Sequence, residues 1–455
     1  MVLTLYKLDA SPPARAVTMV IEAANIPNVE YVDVNFLEKE HLKDNFLKMN
    51  PQHTVPTLQD DDFYVWDSHA IAVYLLTKYS KNTTLYPSDP KQRAIIDQRL
   101  HFDSGILFPS LRGAIEPVVY RGAKAIKPEA LEKIKSGYDF SEKFLTKRWF
   151  AGDELTLADI FFMASISSLN EILPIDAAAY PKLTEWLNRC KELDYYKKMN
   201  EPGSIQLGNL VKSKLGSHIV SGITRTTASF QLNNLKKRIM VLKLYKMDAS
   251  TPARALMMTI EAAKIPNIEF IEVNLAEGEH LNDEFVKMNP QHTVPTLQDD
   301  DFYLWDSHAI AVYLLTKYSN NTTLYPSDPK KRAIIDQRLY FDCGILFTSL
   351  RGAVEPIVYK NEGAFRPEDL EKMRSAYDLS EKFLTKRWVA GDEFSLADIF
   401  FMASIGTMEE LLPIDPTTYP RITEWLNRCK ELDYYKKKNV PGLKKLVDII
   451  KSRLA

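Results

Sequence analysis

The chain has 455 residues, 45% apolar and 26% charged, with 58 lysines and arginines against 60 aspartates and glutamates. A formal charge of −2 excludes the basic field of a nucleic-acid binder and the acidic tail of a cation-seeking one, and the length exceeds what one core serves, so two or more domains are expected. Cys190, Cys343 and Cys429 are scattered and form no Cys-x-x-Cys pair, which speaks against a disulfide framework and for the reducing cytoplasm.

The opening MVLTLYKLDASP lacks a cationic segment followed by a long apolar run, so no secretory leader is expected. Val2–Tyr6 is a short apolar run suited to a buried strand. Ser11-Pro12-Pro13 begins a helix, a capping hydroxyl followed by proline where the missing N–H costs nothing, and Ala14–Ala24 continues it. Val29–Val34 reads as a second strand and Glu40–Met49 as a short polar helix stopped by Asn50-Pro51. Thr57–Gln59 and Phe63–Val65 flank the turn Asp60-Asp61-Asp62 as a hairpin, and Ser68–Tyr79 follows as an amphipathic helix. Beyond Pro90 only helical spacing remains: Arg93–Val119, Pro128–Trp149, Leu157–Leu169, Pro181–Tyr195 and Ile205–Leu215. Thr156 and Asp159 form a T-x-x-D capping box, a structural pair rather than a catalytic one. No apolar run is long enough to cross a bilayer, so no membrane partner is expected.

The same series then repeats at an offset of 239 residues: MVLTLYKLDASPPARA returns as MVLKLYKMDASTPARA from Met240, and NPQHTVPTLQDDDFY at 50–64 returns unchanged at 289–303. Such a period is far above the roughly 20–50 residues of a solenoid repeat, so each copy is a whole folding unit. The expected organisation is a thioredoxin-like α/β domain (1–80) and an all-helical domain (91–215), a Ser/Thr/Asn-rich linker (216–239), then the same pair again (240–319 and 330–454).

Within each copy Ser11 in SPPARA, Glu40-His41, NPQHTVPTL at 50–58, DSHAI at 67–71, QRLHFDSGILF at 98–108, AGDELTLADI at 151–160 and KSKL at the end stand in a characteristic order. With these motifs each copy resembles a cytosolic glutathione transferase, the insect epsilon class first and the delta class next. The likeness covers both copies and leaves out only the linker. It implies conjugation of the glutathione thiolate to hydrophobic electrophiles, as in xenobiotic detoxification, with dehydrochlorinase or peroxidase activity as further outcomes in the family. Glutathione is then a co-substrate with no other cofactor, and no metal is expected, since no pair shows metal-ligand spacing of the usual kinds. Ser11 and Ser250 match the thiol-activating serine. His41, His53, Val55, Pro56, Asp67, Ser68, His69 and Arg112 match glutathione-binding positions, with His69 alternatively facing the partner subunit, and His280, His292, Val294, Pro295, Asp306, Ser307, His308 and Arg351 repeat them. The resemblance makes Pro56 a cis-proline whose neighbour Val55 pairs with the cysteinyl backbone.

The electrophile pocket is expected from Phe36, Phe108, Leu111, Ile115, Glu116 and Val119, and from Leu275, Phe347, Leu350, Val354, Glu355 and Val358. The helical spacing of 108, 111, 115 and 119 equally describes a core stripe, and Arg112 and Glu116 equally describe a surface ion pair. The copies differ at Pro12/Thr251, Phe36/Leu275, His101/Tyr340, Ser104/Cys343 and Pro109/Thr348, which points to shared glutathione binding and different electrophile preference. A 24-residue coil spans roughly 25–30 Å on average and about 80 Å at full stretch, which allows either an intramolecular pseudo-dimer or a homo-oligomer. The rival readings are a ligand-sequestering protein and a scaffold such as the transferase-like domain of elongation factor gamma; retained serines argue against the first and the lack of an appended domain against the second. An omega-type oxidoreductase is disfavoured because residue 11 is Ser, not Cys.

Overall fold

A computed structural model describes residues 2–215, 242–319 and 321–454; the linker expected at 216–239 lies outside the described residues. The first copy begins with strand β1 (Leu3–Lys7), helix α1 (Pro12–Ala23), β2 (Val29–Asp33), α2 (Asp44–Met49), β3 (Thr57–Asp60), β4 (Phe63–Trp66) and α3 (Ser68–Tyr79). The sheet order is β2-β1-β3-β4; β1 runs parallel to β2 and antiparallel to β3, and β4 is antiparallel to β3. Parallel β1 and β2 need a crossover, which α1 supplies, while β3 and β4 need only the Asp61-Asp62 turn. Leu3 and Leu5 of β1, Leu58 of β3 and Val65 of β4 are buried together with Val17, Val20 and Ile71, so the α/β core lies between sheet and helices.

The helical part follows as α4 (Pro90–Phe102), α5 (Phe108–Arg121), α6 (Pro128–Phe144), α7 (Leu157–Ile172), α8 (Pro181–Lys191), α9 (Asp194–Met199) and α10 (Glu201–Lys214). The single helix expected over Arg93–Val119 is split by a wide π-turn at Asp103–Leu107, and the segment expected to run on to Tyr195 stops at Lys191 before α9. The box at α7 forms as read, with Thr156 and Asp159 capping each other; Asp159 also accepts from Phe150 N at 3.0 Å and Trp186 Nε1 at 3.1 Å. Its buried carboxylate is thereby fully engaged in holding three segments together.

The second copy repeats the order as β5 (Leu242–Lys246), α11 (Thr251–Ala263), β6 (Ile268–Glu272), α12 (Asp283–Met288), β7 (Thr296–Asp299), β8 (Phe302–Trp305), α13 (Ser307–Tyr318), α14 (Pro329–Phe341), α15 (Phe347–Lys360), α16 (Pro367–Phe383), α17 (Leu396–Leu411), α18 (Pro420–Lys430) and α19 (Val440–Lys451). Its sheet order, β6-β5-β7-β8, is the same.

The copies pack with α3 on α14 and α13 on α4. Their polar contacts come in mirrored pairs: Gln98 Nε2 donates to Trp305 O and Gln337 Nε2 to Trp66 O, each at 2.8 Å. Lys91 faces Asp301 at 3.8 Å and Lys330 faces Asp62 at 3.7 Å. Trp305 joins the core of the first copy and Trp66 that of the second. Burying one such ring contributes about 3 kcal/mol, so each unit's core is completed by an aromatic side chain of the other.

Candidate active site

Strand register alone gathers the candidate residues. Lys7 at the end of β1 is opposite Asp33, Tyr6 is opposite Thr57, and Thr57 is opposite Trp66. The segments leaving that end of the sheet are Leu8–Ser11 after β1, Val34–His41 after β2, His53–Pro56 before β3 and Asp67-Ser68 after β4. Ser11, His41, His53, Val55, Pro56, Asp67 and Ser68 therefore share one edge, and Ser250, His280, His292, Val294, Pro295, Asp306 and Ser307 share the equivalent edge of the second sheet.

Ser11 is the N-cap of α1 and its hydroxyl makes no capping hydrogen bond. Ser250 caps α11 weakly, accepting from Ala253 N at 3.4 Å. Both hydroxyls sit where the helix dipole favours an anion. The Val55-Pro56 and Val294-Pro295 peptides are cis. Asn50 Nδ2 holds the loop that carries them, donating to Thr54 O at 2.9 Å and Thr57 Oγ1 at 3.0 Å, and Trp66 Nε1 ties Gln52 Oε1 to the end of β4 at 2.7 Å.

Asp67 and Asp306 adopt φ of 67° and 73° with ψ near 120°, a conformation that costs about 1–3 kcal/mol for a residue with a side chain. Each is held there by capping: Asp67 Oδ1 accepts from His69 N at 2.9 Å and Ala70 N at 3.3 Å. His41 stacks on Phe36 at 3.9 Å between ring centres and lies 6.2 Å from His53. Burial, with His53 adding to it, lowers the His41 pKa; burial and Lys382 of the second copy lower that of His53. Both rings are thus neutral hydrogen-bonding groups near pH 7.

The structure separates the remaining expected residues. His69 and His308 are not on the open edge: both rings are buried in the interface between the copies. His69 Nε2 is 3.0 Å from Asp103 Oδ2 and its ring stacks between Phe161 and Tyr340. Burial pulls its pKa down, but Asp103 and Asp67 outweigh that and raise it to about 9. Leu111 and Leu350 belong to the core, 0% and 2% exposed, because the sides of α5 and α15 that carry them face the bundle. Phe36, Phe108, Ile115, Val119, Leu275, Phe347, Val354 and Val358 remain half-buried, available to a ligand. Arg112 Nε donates to Glu116 Oε1 at 2.6 Å on an exposed face, and Arg351 and Glu355 pair in the same way.

Three positions were not anticipated. Arg15, 1% exposed, donates through Nη1 to Ala10 O at 2.9 Å and Asp9 O at 3.2 Å, and through Nε to Asn200 Oδ1 at 2.9 Å. It therefore fixes the two carbonyls just before Ser11 and ties them to the start of α10. Gly203 of α10 lies against the same loop: a Cβ there would come 2.0 Å from Asp9 O. The exact return of PARA in both copies was the one available signal, and it did not say what the arginine holds.

A thioredoxin-like sheet joined to a helical bundle, with a serine hydroxyl free of capping at the mouth of the first helix, defines the class of two-domain proteins with an α/β unit followed by an all-helical one. The model of the glutathione S-transferase N-terminal domain matches residues 5–83, a second N-terminal-domain model matches 240–316, and the C-terminal-domain model matches 96–194 and 348–433. Glutathione S-transferase 1 of Manduca sexta is 66% identical over 216 residues, 47% of this chain and 100% of that protein. Glutathione S-transferase D6 of Drosophila melanogaster is 40% identical over 194 residues, 42% of this chain and 88% of that one. Among solved structures, an epsilon-class glutathione S-transferase from the housefly, Musca domestica, is 44% identical, covers 47% of this chain and 98% of its own, and has a TM-score of 0.46. The chain belongs to the glutathione S-transferase family and carries the family's domain pair twice.

Proposed function

We propose that each copy binds reduced glutathione along the open edge of its sheet and transfers it to an apolar electrophile. His41 and His53 meet the glycyl end, the Val55 backbone pairs with the cysteinyl residue, Asp67 and Ser68 hold the γ-glutamyl end, and Arg112 approaches from α5. The second copy uses His280, His292, Val294, Asp306, Ser307 and Arg351. The observation that carries this reading is the Ser11 hydroxyl, uncommitted to capping at a helix N-terminus. A thiol with pKa near 8.5 is mostly protonated at neutral pH, and lowering it by two units needs about 2.7 kcal/mol. A hydrogen bond to the anion supplies about 1.5–3 kcal/mol and the helix terminus about 0.3–1 more. The thiol proton leaves to solvent, the sulfur lone pair forms the new C–S bond, and in a substitution the halide departs with its electron pair. Phe36, Phe108, Ile115 and Val119, with Glu116 at the margin, receive the electrophile.

The same thiolate acting as a base supports dehydrochlorination, and acting on a peroxide it supports reduction. Xenobiotic detoxification in the cytoplasm, by one chain acting as an intramolecular pair, is the setting these activities fit.

The test is conjugation of a generic aryl halide by the wild type, Ser11→Ala, Ser250→Ala and the double variant, together with the ultraviolet thiolate absorbance of bound glutathione. Each single variant should keep the other copy's turnover, and the double should lose at least about tenfold with the thiol pKa back near its free value. Full turnover in the double variant refutes the serine's role. A wild type that binds glutathione with an unshifted thiol is a carrier instead.

A further inference from the structure

The two copies share a fold but differ at some of the positions where they meet. His101 of the first corresponds to Tyr340 of the second, and Ser104 corresponds to Cys343. The near two-fold arrangement of the pair brings His101 and Cys343 to the same side of the interface, where Cys343 Sγ lies 3.6 Å from His101 O. There they meet Asp306 and His308, and one ligating atom from each of the four residues lies within 4.8 Å of all the others. The mirrored position holds Tyr340, Ser104, Asp67 and His69, of which only the last two are ready metal ligands.

The hydrogen bonding is unequal in the same sense. His69 uses both nitrogens, Nδ1 lying 3.3 Å from Asp67 Oδ1 and Nε2 3.0 Å from Asp103 Oδ2. His308 Nε2 is likewise 2.9 Å from Asp342 Oδ2, but its Nδ1 is buried without a hydrogen bond, 3.5 Å from Asp306 Oδ1. His101 Nδ1 is buried without a partner as well. Both imidazoles are 4% exposed and stack at 4.7 Å between centroids. One imidazole nitrogen without a partner and a second with only a 3.5 Å contact to Asp306, inside one protein interface and beside a thiol, are an unusual deficit of partners.

We propose that His101, Asp306, His308 and Cys343 bind one Zn²⁺ per chain, between the two copies. One thiolate, two imidazoles and one carboxylate are ligands that zinc takes in tetrahedral sites. Asp342 stands behind His308 as the carboxylate that fixes the ring and leaves Nδ1 for the metal. Ligand atoms around tetrahedral zinc are about 3.3–3.7 Å apart, so the four groups draw in by about 1 Å and the two rings tilt out of their stack. The Cys343 thiol proton, and any proton on His308 Nδ1, pass to solvent as the metal binds. Four protein ligands in a buried place make a structural site, one that clasps the halves together and fills as they dock.

The arrangement also selects the pairing. Two first copies would offer His101 with Asp67 and His69 but no thiol. Two second copies would offer Cys343, Asp306 and His308 but Tyr340 in place of the second imidazole. Only unlike halves complete the set. The sequence expectation of no metal looked for ligand spacing within one unit, and this set is divided between two.

The experiment measures the metal content of the full chain produced with zinc in the medium, then strips it and titrates with Zn²⁺ and with Co²⁺. One equivalent of zinc per chain is expected, and Co²⁺ should give intense tetrahedral visible bands with a thiolate charge-transfer band in the near ultraviolet. Cys343→Ser should remove the charge-transfer band, and Asp342→Asn should weaken zinc by about 10–100-fold. Tyr340→His combined with Ser104→Cys should raise the stoichiometry to two, a gain that loss of folding cannot imitate. Absence of stoichiometric zinc in the wild type, cobalt binding without a thiolate band, or equal affinity in Cys343→Ser would each overturn the proposal.

Discussion

At the scale of single residues, the two copies hold their serines by different means. Arg15 grips the main chain in front of Ser11, whereas Arg254 donates to Thr251 Oγ1 at 2.9 Å, Thr407 Oγ1 at 2.8 Å and Asn439 Oδ1 at 2.7 Å. The Pro12/Thr251 difference creates that hydroxyl acceptor; both guanidiniums reach the helices, through Ser168 and Thr407, and Arg15 holds the loop carbonyls as well. Lysine keeps the charge but loses the planar fork that reaches several acceptors at once. Arg15→Lys, measured in a Ser250→Ala background so that only the first copy turns over, is expected to lower kcat by about 10–100-fold through displacement of the serine. It should also raise the pKa of bound glutathione. Arg254→Lys in a Ser11→Ala background should lower Tm while changing the thiol pKa far less. Equal kinetic losses in the two backgrounds would remove the distinction. None of this was readable from PARA, because the pattern names a charged residue in an apolar helix but neither the carbonyls it holds nor its other partner, Asn200, 185 residues further along the chain.

At the scale of elements, the site depends on how closely α10 approaches the loop after β1. Gly203→Ala places a methyl group 2.0 Å from Asp9 O, and backbone cannot yield as a flexible side chain can. A loss of about 1–3 kcal/mol in stability is expected, together with reduced turnover from the first copy alone. Gly113 on α5 meets nothing within 4 Å of an added Cβ, so Gly113→Ala should gain about 0.5–1 kcal/mol from helix propensity. Thermal unfolding of the two variants side by side checks both signs. The strands, the hairpin and the first helices were legible in the sequence because alternation, Ser-Pro-Pro and Asp-Asp-Asp are local signals. The break at Asp103–Leu107 was not, because the helical spacing runs through it without a local stop signal; Gly105 within it faces the other copy, where an added Cβ would lie 3.0 Å from Cys343 Sγ. Leu111 shows the same limit. Its spacing with Phe108 and Ile115 fitted a pocket and a core equally, and only the packing of α5 on the bundle decides between them.

At the scale of the whole molecule, the interface also carries two buried carboxyls that are unusually weak acids. Asp97 accepts from Tyr86 Oη and Asp336 from Tyr325 Oη, each at 2.6 Å. Burial raises Asp97 to about 6, against the pull of Tyr86, Arg93 and Arg332 and with Asp306 adding to the rise. Burial raises Asp336 to about 7, against Tyr325, Arg332 and Arg93 and with Asp97 of the other copy adding to it. A carboxyl whose folded pKa lies above its unfolded value near 3.9 binds its proton more tightly in the folded chain. Its contribution therefore favours folding below about pH 4 and declines as pH rises through 6 and 7, after which the buried charge opposes folding. Asn at either position keeps an acceptor for the tyrosine and removes the charge. Asp336→Asn is expected to unfold at a higher temperature than the wild type at pH 8, with the advantage shrinking steadily toward pH 5, and Asp97→Asn should show the same trend more weakly. The double variant measures the repulsion between the two copies directly, since its gain at pH 8 should fall short of the sum of the single gains. A Tm difference that does not change with pH would mean that these groups are paired well enough to stay ionised at no cost, and that the halves dock without regard to their charge.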